Sequence, residues 1–76
     1  MEQNPITMHM CATVCCAECC QLLVCDHETQ QEILVHSDQA CHFCVGDQVC
    51  IHYNGAMTRS IPPQITAICI HKMRSC

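Results

Sequence analysis

The sequence predicts a small all-β domain, a five-stranded antiparallel barrel of the OB type with a short helix or connector between strands three and four. Three observations predict it. Apolar residues fall in short runs without helical spacing, turn-forming residues separate those runs, and one longer connector precedes the fourth run. An SH3-like barrel suits the same strands and is the alternative. The 76 residues are read as one domain over 1–76, with 1–7 an extended or disordered lead.

Residues 8–17 read as a first strand, and a turn follows at 18–20. Gln21–Cys25 is a short apolar run ended by the polar turn 26–31. Glu32–His36 is a third strand with Ile33 and Val35 on one face. Strands joined by such short turns form an antiparallel meander. Ser37 can cap a helical turn, but the stretch before Gly46 is too short for more than about two turns. Asp47–Tyr53 alternates, with Val49, Ile51 and Tyr53 on one side and Cys50 and His52 on the other. Asn54 and Gly55 open a loop, and Pro62 and Pro63 hold the chain extended before a last strand over Gln64–His71.

Half of the residues are apolar, yet these include eleven Cys and five Met, with Phe43 and Tyr53 the only aromatics. The expected core is Val, Ile and Leu supplemented by thiols, since free Cys packs as a small hydrophobe. Three basic residues stand against seven acidic ones, for a net charge of −4. That balance disfavours nucleic acid, which needs several Lys or Arg contacts to phosphate. No apolar run approaches the roughly 20 residues that span a bilayer, so no membrane association is expected. The N-terminal residues lack the basic region of a signal peptide, and a cytoplasmic location is expected. Reducing conditions there make the cysteines thiols or metal ligands rather than a disulfide framework.

The segment Val45-Gly46-Asp47-Gln48-Val49-Cys50-Ile51-His52-Tyr53-Asn54-Gly55, followed by Ser60-Ile61-Pro62-Pro63-Gln64-Ile65-Thr66-Ala67, resembles a family of small bacterial OB-like domains of unknown function. Those domains share a Gly-Asp strand ending in Tyr-Asp/Asn-Gly and a Ser-x-Pro-x-Gln-Ile segment that leads into the last strand. The resemblance covers residues 45–68 and implies the fold. It implies no activity, and the family carries aliphatic or polar residues where this chain has Cys.

The thiols therefore have to be read from the residues themselves. Cys16-x-x-Cys19 and Cys41-x-x-Cys44 are two C-x-x-C pairs 21 residues apart, just beyond the spacing of about 15–20 usual for a four-thiolate zinc site. In a meander the first and third strands run the same way, so both pairs leave the barrel at one rim and can meet. Cys15, Cys20 and His42 are substitute ligands, and soft thiolates suit zinc or Cu(I). Against this stands a passive reading, in which thiols merely replace Val or Ala in strands. A third reading makes Cys16-Ala17-Glu18-Cys19 or Cys41-His42-Phe43-Cys44 a redox couple, the latter with the better chemistry because His42 and a short helix starting near Ser37 could each acidify a thiol.

The histidines are read as surface residues: His52 lies opposite the apolar face of its strand, and His36 and His71 end strands. His9-Met10-Cys11 is a soft-ligand sequence, but alternation separates His9 from Met10. No nucleophile-base-acid set and no phosphate loop can be assembled, so no enzyme is expected. Tyr53 and Arg59, at the base and tip of the last loop, are the candidates for gripping a small ligand. Two classes of function follow: a module that binds a soft metal, and a ligand- or protein-binding barrel that oligomerises through strand edges.

Overall fold

The computed structural model describes residues 8–73; the N-terminal lead expected over 1–7 lies outside the described residues. Five strands follow in order: β1 (Met8–Ala17), β2 (Gln21–Asp26), β3 (Glu32–His36), β4 (Gln48–Tyr53) and β5 (Gln64–Lys72), with one turn of 3₁₀ helix at Ala40–His42. They close in the order β1-β2-β3-β5-β4, with β1 returning to β4. The meander β1-β2-β3 is antiparallel, β3 meets β5 in parallel, and β4 lies antiparallel to both β1 and β5. This is an OB-like barrel. Each strand has a neighbour on both sides.

Alternation explains the interior. Met10, Ala12 and Val14 of β1, Leu22 and Val24 of β2, Ile33 and Val35 of β3, and Val49, Ile51 and Tyr53 of β4 all point inward and are buried. Ile65 and Ile70 of β5 and Ala40 from the connector complete the core. The expectation that thiols line this core is corrected: none of the ten described cysteines is buried, and all are free. Their positions in the strand pattern are the reason. Cys11, Cys25 and Cys50 alternate with the buried residues and so face outward.

Two bulges carry the remaining strand cysteines outward. In β1 the register shifts between Val14 and Cys16, so Cys15 is the extra residue and both Cys15 and Cys16 are exposed. In β5 the pairing passes from Tyr53↔Ala67 to His52↔Cys69, leaving Ile68 as the extra residue, 62% exposed. Strict alternation from Ile65 would turn 67, 69 and 71 toward the core. The extra residue reverses that phase, so Ile70 is buried while Cys69 and His71 lie on the outer face.

The connector between β3 and β4 is tied down at both ends. The Ser37 N–H donates to the Cys20 carbonyl at 3.0 Å, and the Gly46 N–H to the Val14 carbonyl at 2.8 Å. The Asp47 carboxylate accepts the Cys44 N–H at 2.9 Å and lies 3.4 Å from the Lys72 ammonium. The backbone donor, seconded by the Lys72 charge against partial burial, holds the Asp47 carboxyl below its ordinary value. A depressed folded-state value means this contribution is complete above the unfolded value of about 3.9 and is lost as pH falls through the folded one. Urea unfolding should therefore show wild type more stable than Asp47→Asn at pH 7. The gap should close below about pH 4; a gap that persists unchanged to acid pH refutes the role of the carboxylate charge.

The segment that carries the resemblance does geometric work. Gly46 and Gly55 have φ of 94° and 93°, in the left-handed region that favours glycine. The Asn54 side-chain oxygen accepts the Ala56 N–H at 2.9 Å, and Thr58 Oγ1 accepts the Gln64 N–H at 3.0 Å. These bonds fix the path of the loop into β5.

Candidate metal centre

The outer face of β1, β4 and β5 collects soft donors in a grid. Three dyads of the same kind, His9-x-Cys11, Cys50-x-His52 and Cys69-x-His71, each occupy alternate positions of one strand. A spacing of two puts both members of a dyad on one face. Register then aligns the dyads across the sheet. His9 stands opposite His52 and Cys11 opposite Cys50; Cys50 stands opposite His71 and His52 opposite Cys69. One row therefore reads Cys11, Cys50, His71, and the next His9, His52, Cys69.

Within this grid, one ligand atom each from His52, Cys69 and His71 lie within 4.8 Å of one another, the one such group of three found among the described residues. Cys69 Sγ is 3.6 Å from His71 Nε2. The His52 ring lies 5.4 Å from the His71 ring, edge-on, and 5.4 Å from the His9 ring, tilted by 39°. Burial pushes the Cys50 thiol above its ordinary value, with Cys11 and then Cys69 adding to it. His52, Cys50, Cys69 and Cys11 are half-buried, whereas His9 and His71 are exposed. An ion can reach the group from solvent while apolar β4 residues support it from behind.

The C-x-x-C thiols lie elsewhere. Cys16, Cys19, Cys41 and Cys44 are all exposed, as are Cys15, Cys20 and His42. The turn at 18–20 and the connector do meet at one rim, through the Ser37–Cys20 hydrogen bond. Cys19 and Cys20 have their sulfurs 3.5 Å apart, and the Cys20 thiol is raised, chiefly by its hydrogen bond to Cys19 and more weakly by the charges of Cys41 and Asp38. No three donors of this rim set come within the 4.8 Å that His52, Cys69 and His71 achieve. The 3₁₀ helix spans only Ala40–His42, so Cys41 lies inside a single turn and no helix starts at Ser37.

The small-ligand candidates also separate. Tyr53 is 7% exposed and belongs to the core, because its phase on β4 matches Ile51. Arg59 is exposed in the β4–β5 loop. A groove of about 360 Å³ beside that loop is lined by His36, Asn54, Met57, Thr58, Gln64 and neighbouring residues, without Tyr53 or Arg59. His36 is held there by Gln64, with Nε2 and Oε1 2.8 Å apart.

The histidines lie on the outer face as their strand phase predicts, but that phase alone does not bring His52, Cys69 and His71 together. The available pointer was the triple recurrence of a Cys/His pair at spacing two, combined with the adjacency of β1, β4 and β5 that an OB closure supplies. Fold and site together define a class, a small cysteine-rich β barrel with a His/Cys/His group on its outer wall. No protein family, curated protein or solved structure matches the chain. Among the described residues no helix is long and apolar enough to cross a membrane.

Proposed function

We propose that this barrel binds a soft transition-metal ion, zinc or Cu(I), on its outer wall through His52, Cys69 and His71. The observation that carries the reading is the convergence of one imidazole nitrogen from each histidine and the Cys69 sulfur within 4.8 Å. Imidazole suits both ions and thiolate favours soft ones. Ligand bonds of about 2.0–2.3 Å require only small rotations of side chains already this close. Donors on paired strands are also preorganised, which reduces the entropy lost on binding.

The test is a competition titration of reduced protein with zinc and, anaerobically, with Cu(I), each against a chromophoric chelator. His52→Asn combined with His71→Asn should weaken binding at least tenfold. Equal affinity in wild type and the double variant would place the ion elsewhere and sink the reading. The groove beside the β4–β5 loop supports a second reading, a barrel that takes a small ligand there. It gains ground if reduced wild-type protein takes up neither ion.

A further inference from the structure

We infer that the outer wall holds a pair of Cu(I) ions rather than one, the second bound by Cys11 and Cys50 with Cys69 as the thiolate shared between them. This deepens the proposed function and rests on it. The second pair of donors is fixed by register: Cys11 and Cys50 stand directly opposite across β1 and β4, where Cβ atoms lie about 4.5–5.5 Å apart. Two sulfurs at that separation reach one ion by rotating about χ1. Cys69 connects the two halves of the wall, since it stands opposite His52 across β4 and β5 and is the diagonal neighbour of Cys50 on the same face.

Donor number favours Cu(I). Zinc takes four ligands, and two zinc ions sharing one thiolate need about seven protein donors unless water completes each shell. The wall offers six, and one of them, His9, is set beside His52 at the margin. Cu(I) is satisfied by three soft ligands, and two three-coordinate ions sharing one sulfur need five. Cys11, Cys50, Cys69, His52 and His71 are those five. A thiolate has lone pairs enough to bind two ions at once, which imidazole cannot do from one nitrogen, so the bridging position falls to Cys69. Each thiol that binds gives its proton to solvent. Three thiolates against two monovalent ions leave one negative charge, at a half-exposed surface that water can screen.

The test removes competing thiols first. In a full-length parent, the eight cysteines other than Cys11, Cys50 and Cys69, namely Cys15, Cys16, Cys19, Cys20, Cys25, Cys41, Cys44 and Cys76, are each changed to Ser. Cu(I) is added anaerobically with a competing chelator, and bound ions are counted by native mass spectrometry. The parent should hold two ions, with a short Cu–Cu vector in X-ray absorption. Cys11→Ser with Cys50→Ser should hold one, and Cys69→Ser should abolish the Cu–Cu vector. Cys11→Ala with Cys50→Ala should match the Ser pair, and circular dichroism confirms that each variant retains its sheet. A parent that saturates at one ion, with that ion dependent on His52 and His71, overturns the pair and leaves the single-ion reading standing. A parent that binds none overturns both, and a Cys11/Cys50 variant that still holds two overturns the assignment of donors.

Discussion

Saturation with the preferred ion, at about a hundred times its dissociation constant, should raise the midpoint of thermal unfolding by roughly 10–20 °C. An ion that binds only the folded chain stabilises it by about 2.7 kcal/mol at that excess, and each kcal/mol moves the midpoint of a domain this size by about 4–8 °C. The folded site has a particular advantage, because His52, Cys69 and His71 are brought together by two strands and a bulge. Unfolded chain also carries thiols that bind soft ions, and this subtracts from the shift. The decisive comparison is therefore with His52→Asn/His71→Asn, whose unfolded state offers the same eleven cysteines. The double variant should lose most of the metal-induced shift. Scanning calorimetry of both proteins under reductant, with and without chelator, measures it; equal shifts would mean that the stabilising ion sits among other thiols.

Ile51→Ala should be close to unfolding the protein. Ile51 is completely buried at the middle of β4, between Met10 of β1 and Ile70 of β5 in register. Truncation of such a residue costs about 2–5 kcal/mol, because surrounding side chains close only part of the cavity. A chain of this length has a total stability of roughly 4–11 kcal/mol at typical values per residue, so between about a fifth and all of it is at stake. Ile61 is the internal control: it is 98% exposed, and Ile61→Ala should change stability by less than about 0.5 kcal/mol. Urea unfolding followed by circular dichroism reads both. Ile51 also lies between Cys50 and His52, so Ile51→Ala should weaken metal binding as the wall behind the donors loosens. Comparable losses of stability at positions 51 and 61 would contradict the assignment of inner and outer faces on β4.

Strand alternation made most of the fold legible. Glu32–His36 and Gln48–Tyr53 carry their buried and outward residues at the phases the sequence predicts, with Ile33, Val35, Val49, Ile51 and Tyr53 all buried. The meander of β1, β2 and β3 followed from short polar turns, and the rim contact between Cys20 and Ser37 followed from the meander. Barrel closure was legible as a strand count with a connector before β4. In β1 and β5 the same alternation misleads, because a bulge in each strand shifts the phase by one residue. No side chain at Cys15 or Ile68 announces that shift: both are compatible with a strand, and the bulge depends on how neighbouring strands accommodate the curvature of the barrel.

The candidate site was less legible than the fold for the same reason. Cys-x-x-Cys spacing stands out along the chain, but Cys16 lies near the end of β1, Cys19 in the turn after it and Cys41 and Cys44 on the connector, and no three of these donors converge. The dyads at His9, Cys50 and Cys69 are short and far apart in sequence, and they become one surface only when β1 closes on β4 and β4 on β5.

By itself, then, the sequence determined the strands, their inward faces and the abundance of soft donors, because all three depend on local periodicity and composition. Which donors meet was decided by tertiary structure. Cross-strand register and a single extra residue in β5 set that outcome, and both arise from closing a curved sheet on itself.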